Sequence, residues 1–409
     1  MKHNNVIKNT FMLYLLNIAK MIFPLVTLPY LTRVLSIGCY GTVSYVKAVM
    51  QYMQLIVDFG FLLSGTKDIV LAREDKKKME EESGNILAAK LILSFTAFLI
   101  LLILILKIPI LETNKTYTIL SFVVVFLSNF LFDYLFRGLE KMEIITIRFV
   151  AMKGIATALT FVFVKQDADK LWIPILDIIG SLIAILLVMF EVRKLDIHFR
   201  FTNIYDILSK IKESAIYFFS SMATTAFMAL NTLLVGIFMD TEQVAYWSVC
   251  LQMVTAVQSL YTPLTNGIYP HMVSTKDIKI VKKALKIYMP IITAGCIFTL
   301  IVAEYALKII GGSQYTVAAP VLRCLVPVMF FSFLSMLFGW PMLGAIGRQK
   351  ETTRTTVITA MVQISGLLLL ILSNKFTLIT IALLRSCTEF LLFALRANYC
   401  YKFREEFTN

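Results

Sequence analysis

The sequence predicts an all-α polytopic membrane protein of about twelve transmembrane helices, arranged as two six-helix lobes around a central cavity. Three observations carry that prediction. First, A, V, I, L, M, F, W, Y and C supply 58% of the 409 residues, and the mean hydropathy is +0.78. The excess falls in repeated runs of about 20 residues, the length that spans roughly 30 Å of hydrocarbon. Second, the Lys and Arg residues alternate between the loops. With the N-terminus inside, the cytoplasmic segments hold 25, the outer segments seven, and the spans the remaining seven of 39. That asymmetry places both termini on the cytoplasmic side. Third, six spans return the chain to the side where it began, so two halves share one orientation. Repeats of that kind are related by an axis along the membrane normal, with a site near the midplane between them.

The spans read in order at about 9–32, 40–63, 86–106, 117–136, 146–164, 171–191, 214–238, 244–268, 286–306, 319–343, 355–373 and 377–399. Residues 7–33 read as a retained first span, because no short apolar region with a small-residue cleavage site precedes them. The N-terminal lobe is 1–191, the segment 192–213 is a cytoplasmic inter-lobe linker, and 214–409 is the C-terminal lobe with a short cytoplasmic tail. Outer loops are short. The inner segments 64–85 and 192–213 are long and charged and are expected to carry short amphipathic helices. AREDKKKMEEES (72–83) reads as a solvated surface.

The net charge of +13 does not point to nucleic acid, because the cations sit in short segments between apolar runs, where they set topology. Six cysteines without a CxxC spacing indicate neither a disulfide framework nor a metal site. No P-loop, HExxH or GxSxG motif is present, and no large outer loop offers room for a catalytic centre. All three histidines (His3, His198, His271) fall on the cytoplasmic side, which argues against an intramembrane histidine relay.

Polar residues sharing one face of a helix recur at i, i+3, i+4 and i+7. Span 1 has such a stripe in Thr10, Asn17, Lys20, Pro24 and Thr27, and span 2 in Ser44, Lys47, Gln51, Gln54 and Asp58. Span 7 has Ser214, Tyr217, Ser221, Thr224, Met228 and Asn231, and span 8 has Ser248, Gln252, Thr255, Ser259, Thr262 and Asn266. The four stripes are expected to face a shared aqueous cavity, with helix–helix hydrogen bonding as the alternative. Spans 7 and 8 are neutral on that face. Spans 1 and 2 carry Lys20, Lys47 and Asp58, and a charge facing lipid costs at least about 2.5–3.5 kcal/mol. Lys47 and Asp58 lie roughly 16 Å apart along the helix and cannot neutralise each other.

Other intramembrane charges read differently. Arg385 and Glu389, at i and i+4, make an ion pair. Asn129, Asp133 and Arg137 share a helix face. Asp177 has no local partner, so it binds a proton or pairs with a lysine elsewhere. Arg323 lies in span 10 or in the loop before it. Lys90 and Lys153 are placed to snorkel to the interface.

FPLVTLPYLTRVLSIGCYGTVSY (23–45) resembles the first-span signature of Wzx-type polysaccharide flippases of the multidrug/oligosaccharidyl-lipid/polysaccharide exporter superfamily, in Pro24, Thr27, Pro29, Tyr30, Arg33, Leu35 and Gly41. FDYLFRGLEKM (132–142), PLTNGIYPHM (263–272) and LGAIGRQKE (343–351) are similar to further segments of that family, although Tyr134 and Arg137 stand where Trp and Gln are common. The resemblance implies a carrier, not an enzyme. It would move an undecaprenyl-diphosphate-linked oligosaccharide repeat unit from the cytoplasmic to the periplasmic leaflet of a bacterial inner membrane, for O-antigen or capsule assembly. It also implies alternating access coupled to H+ or Na+, no cofactor, and work beside a polysaccharide polymerase and chain-length machinery among the membrane lipids. Substrate-binding candidates are Lys20, Lys47, Asn17, Gln51, Thr224, Asn231, Gln252 and Arg323. Ion-coupling candidates are Asp58, Asp133, Asp177 and Glu389. A peptidoglycan-precursor flippase, a cation-coupled multidrug exporter and a membrane-embedded polymerase or ligase stand as alternatives.

Overall fold

The structure is a computed structural model that describes residues 2–408, with side chains from residue 8 onward except at positions 220, 223, 224 and 226–228. Among the described residues all regular structure is helical, and one isolated backbone bridge joins Asp277 to Thr408. Ten helical segments of the described residues are long and apolar enough to cross a membrane. The expected spans 214–238 and 244–268 lie in two further 35-residue helices. One of these includes the undescribed side chains, and the other carries a polar stripe and two prolines that lower its hydropathy. The chain is a multi-pass membrane protein whose contacts divide it into two compact units, Met1–Thr225 and Ala226–Asn409.

The first unit begins with α1 (Lys2–Val34), a helix of good formers interrupted by Pro24 and Pro29. Pro24 has no N–H, so the Lys20 carbonyl loses its usual intrahelical partner. α1 lies along α8 (Met142–Phe163). The Tyr30 hydroxyl donates to the carbonyls of Phe161 (3.0 Å) and Val164 (2.7 Å) at the end of α8, and Thr146 donates to the Met12 carbonyl (2.9 Å) near its start. Ser36 caps α2 (Ile37–Asp58) and ties the α1–α2 turn to Asp167 through its backbone N–H at 2.7 Å and its hydroxyl at 2.5 Å.

α2 stops where Phe59 (φ 39°) and Gly60 (φ 82°) turn into the left-handed region. Gly60 is required twice over. Its φ disfavours a side chain, and a Cβ there would stand 2.6 Å from the Cβ of Tyr217. α3 (Phe61–Leu71) then leads to α4 (Lys76–Lys107), capped by the Asp75 carboxylate accepting from the Lys78 N–H. α5 (Pro109–Thr113) makes a short turn into α6 (Lys115–Leu127).

The fourth expected span is not one helix. A 3₁₀ turn at Ser128–Leu131 and the left-handed Phe132 (φ 47°) separate α6 from α7 (Asp133–Gly138). The common face proposed for Asn129, Asp133 and Arg137 is therefore broken. Asn129 donates to the Ser94 hydroxyl (2.7 Å), and Asp133 pairs with Arg148.

α9 (Trp172–Lys194) packs along α8 and is followed by an extended segment and α10 (Ile204–Phe238). That segment narrows the reading of 72–83 as solvated, which holds for the exposed Arg73–Lys78 and fails at Met79, Glu80 and Ser83. Beyond the end of α9 it leaves only 204–213 of the segment 192–213 helical, ahead of the rest of α10. The first turns of α4 are a packing face: Glu80 and Ser83 are buried. Glu80 accepts from Arg200 Nε (2.7 Å) and the His198 N–H (3.1 Å), while the Asn85 amide oxygen accepts from Thr202 twice. Charged side chains disguised the contact, because their partners lie about 120 residues away.

The second unit holds the end of α10, α11 (Thr241–Thr275), α12 (Ile278–Gly311), α13 (Ala319–Leu337), α14 (Gln349–Leu372) and α15 (Leu378–Lys402). α13 packs against α11, α12 and α15. A π-helical turn at Phe338–Gly344 continues α13 through Gly339, where a Cβ would stand 2.8 Å from Arg396 Nη1. The C-terminal tail returns to the helix ends: Thr408 exchanges backbone hydrogen bonds with Lys276 and Ile278, and Glu406 pairs with Arg348 at 2.5 Å.

Candidate functional site

A cavity of about 370 Å³ lies inside the first unit, walled by α1, α2, α6, α8 and α9. α1 contributes Lys20, Phe23, Pro24 and Thr27; α2 contributes Lys47, Met50 and Gln54. α6 adds Tyr117 and Ser121, α8 adds Phe149, Lys153, Thr157 and Thr160, and α9 adds Pro174 and Asp177. The lining therefore holds three ammonium groups and one carboxylate.

Their partners differ. Lys153 Nζ lies 2.6 Å from Asp177 Oδ1, with both side chains about one-third exposed. Lys20 and Lys47 are exposed, and among the described residues no carboxylate comes within 4 Å of either ammonium. Lys20 Nζ stands 5.6 Å from the centre of the Phe149 ring, a cation–π contact that holds the amine without neutralising it. Arg137 and Arg148 lie close enough to add their fields at Lys20. Two cations without a direct carboxylate partner among the described residues, lining one cavity, attract anions, and the attraction strengthens as water is excluded.

The other candidates are distributed as follows. Asp58 is outside the lining; it pairs with Lys90 Nζ (3.1 Å) and accepts from Gln54 (2.9 Å), which itself reaches the cavity. Lys90 and Lys153 thus find carboxylates on neighbouring helices, a correction to the expectation that both snorkel. Snorkelling was inferred from depth alone, and depth does not reveal the helix alongside. Asp133 is held by the buried Arg148. Asn17 and Gln51 are exposed but do not line the cavity, although each shares its helix face with a lysine that does.

In α10, Ser214 is buried and hydrogen-bonded to Ser64 (2.6 Å), so this end of the stripe serves helix packing. Thr224 and Met228 lie outside the described side chains. In the second unit Asn231 is buried and accepts from Gln363 (3.0 Å), which in turn accepts from Thr388 (2.6 Å). The α11 stripe differs: none of Ser248, Gln252, Thr255, Ser259, Thr262 and Asn266 is buried, while Trp247, Val254, Tyr261 and Ile268 on the other side are. Arg323 lies in the first turns of α13 and bonds Glu304 (3.2 Å) and the Leu300 carbonyl (3.1 Å) of α12. Glu389 is buried between Arg385 (2.9 Å) and Ser335 (2.8 Å).

Lys153 and Tyr117 belong to the cavity and were not among the candidates. A signal for Lys153 existed. Phe149, Lys153, Ala156, Thr157 and Thr160 recur at helical spacing on α8, and all line the cavity. Tyr117 recurs with Ser121, Val124 and Val125 at the same spacing on α6, but that face is mostly apolar and carries no charge to single it out.

Three comparisons place this arrangement among known proteins. Residues 6–276 match the family described as "Polysaccharide biosynthesis protein". The chain is 26% identical over 388 residues to a "Putative O-antigen transporter" of Escherichia coli (strain K12), covering 91% of each. It is 26% identical over 369 residues to a protein of the same description from Shigella dysenteriae, covering 87% of this chain and 91% of that one. In fold it is similar to the lipid II flippase MurJ in an inward closed conformation, with TM-score 0.72 and 12% identity over 97% of this chain and 87% of that one. It is also similar to an inward-facing MATE family transporter of the MOP superfamily, with TM-score 0.65 and 14% identity over 95% of this chain and 99% of that one. With two thirds of its length matched by the family model and its fold shared with these transporters, the chain belongs to the polysaccharide biosynthesis protein family.

Proposed function

We propose that this protein is a flippase for a polyprenyl-diphosphate-linked oligosaccharide, and that the cavity of the first unit receives the diphosphate. The observation that carries the reading is the pair of lining lysines, Lys20 and Lys47, without a carboxylate within 4 Å among the described residues. Leaving two cations unneutralised within membrane spans is costly, on the order of 2.5–3.5 kcal/mol each on insertion scales, and an anionic cargo offsets that cost when it binds. The volume is consistent with this division of labour. Pockets of about 300–1,000 Å³ hold drug-sized groups, so roughly 370 Å³ accepts a diphosphate and an adjoining sugar, not a whole repeat unit. The apolar tail stays in the lipid.

The "O-antigen transporter" descriptions of the 26%-identical relatives support the same cargo class. The cation distribution supports cytoplasmic termini, and the descriptions of the relatives support insertion in a bacterial inner membrane with transfer toward the outer leaflet. An exporter of organic cations would need the opposite sign in the cavity. The test is polysaccharide display in a flippase-null strain complemented with Lys20→Ala or Lys47→Ala at matched membrane levels. Each variant is expected to lose most display; full display by both ends the proposal.

A further inference from the structure

Among the described residues that line the cavity Asp177 is the sole carboxylate, and it is already in use. It neutralises Lys153 across the α8–α9 interface at 2.6 Å, while Lys20 and Lys47 have no such partner among the described residues. The charged and titratable groups that share the cavity with Asp177 are Lys153 on α8, Lys47 on α2, whose charge acts on both members of the pair, Tyr117 on α6 and Lys20 on α1. On its own helix, Ser181 donates to the Asp177 backbone carbonyl (2.7 Å) and leaves the carboxylate alone. Among the described residues the carboxylate thus depends on Lys153 for its direct ion pair, and both groups remain open to the cavity.

We infer, building on the diphosphate reading above, that Asp177 is a built-in counter-ion that the cargo's diphosphate displaces from Lys153, and that the displaced carboxylate takes up one proton. The steps balance. Lys153 keeps its proton and exchanges a carboxylate oxygen for a phosphate oxygen. Asp177, deprived of its cation and left beside a new anion, takes a proton from solution and becomes neutral, as carboxylates do when an opposite charge is replaced by a like one. Release of the cargo restores the pair and expels the proton. Cargo and proton then occupy the cavity together. The device needs no metal ion, and a carboxylate already occupied by an ammonium is a poor cation ligand. Asp177 acts through Lys153 and is a positioning residue for the cargo.

The experiment uses the full chain in lipid nanodiscs, titrated with farnesyl diphosphate in two buffers of different ionisation enthalpy, so that protons taken up per diphosphate are counted. The probe's own protonation is removed by comparison with Asp177→Asn. Wild type is expected to take up about one proton more than Asp177→Asn, and its affinity to fall about tenfold more per unit rise in pH, the slope a single linked proton dictates. Lys153→Met, which abolishes the exchange, is expected to lose the extra proton as well. Binding with equal proton uptake in wild type and Asp177→Asn overturns the inference and leaves the diphosphate reading intact. No binding by wild type overturns both.

Discussion

A buried network in the second unit and the cavity of the first both keep charges at membrane depth, and they keep them in opposite ways. In the second unit Arg385 and Glu389 are each 4% exposed and 2.9 Å apart, and Ser335 and Arg396 close the network around them. Arg396 further reaches Thr355 and Thr356. Nothing in that network is offered to a ligand. In the first unit Lys20 and Lys47 stand exposed in a cavity, and of the three lysines that line it Lys153 alone pairs with a carboxylate among the described residues. The difference teaches that depth in the bilayer does not mark a functional charge. Pairing does: a satisfied buried charge holds helices together, and an unsatisfied accessible one waits for a partner.

Mutations separate these roles, and the largest effect belongs to the closed network. Arg385→Ala leaves Glu389 buried without its cation and should cost about 3–5 kcal/mol. It is read as a sharp fall in Tm and in detergent-extracted yield. The apolar double substitution Arg385→Met with Glu389→Leu should recover most of that loss, because two buried charges leave together.

Lys47→Ala inverts the pattern. Removing an unpaired cation should leave Tm unchanged or raise it, while affinity for farnesyl diphosphate falls roughly ten- to hundredfold, the worth of one charge-assisted hydrogen bond at about 1.5–3 kcal/mol. A Lys47 variant that unfolds while binding normally would erase the contrast between the units. Tyr30→Phe lies between the extremes. It removes the hydroxyl that ties α1 to the last turn of α8, at a cost of about 1 kcal/mol, visible as faster hydrogen exchange at residues 160–164.

The smallest effect is at the tail of the second unit. The Arg348 hydrogen bond holds the Glu406 carboxyl below its usual range. A depressed carboxyl contributes stability above its unfolded value of about 4.3 and loses it as pH falls through the folded value. The tail clasp should therefore persist at neutral pH and open only in acid below about pH 4. Protease access to residues 403–408 across that range checks it, and high salt should mimic part of the effect because the pair is surface-exposed.

Much of the fold was legible in the chain. Apolar runs gave the helices, and the lysine stripes on α1 and α2 pointed to residues that do line one cavity. The illegible parts share a cause. α6 and α7 read as one span because a left-handed Phe132 leaves no mark in an apolar run. Residues 72–83 read as solvated because Arg200 and His198, which cover Glu80, arrive from the far end of the unit. The α10 stripe looked like one wet face, yet Ser214 and Asn231 within it satisfy Ser64 and Gln363 on other helices. Polarity on a face says that a partner is needed, not whether the partner is water, cargo or protein.

By itself the sequence determined the length, number and order of the apolar segments, the side on which cations gather, and the presence of charges at membrane depth. Those follow from transfer energies, which each segment pays alone. The tertiary structure decided which charges are neutralised. Lys90 with Asp58, Arg148 with Asp133, and Lys153 with Asp177 are pairs between different helices. Such a pair depends on a separation of a few ångströms between positions on different helices, and only packing sets that distance.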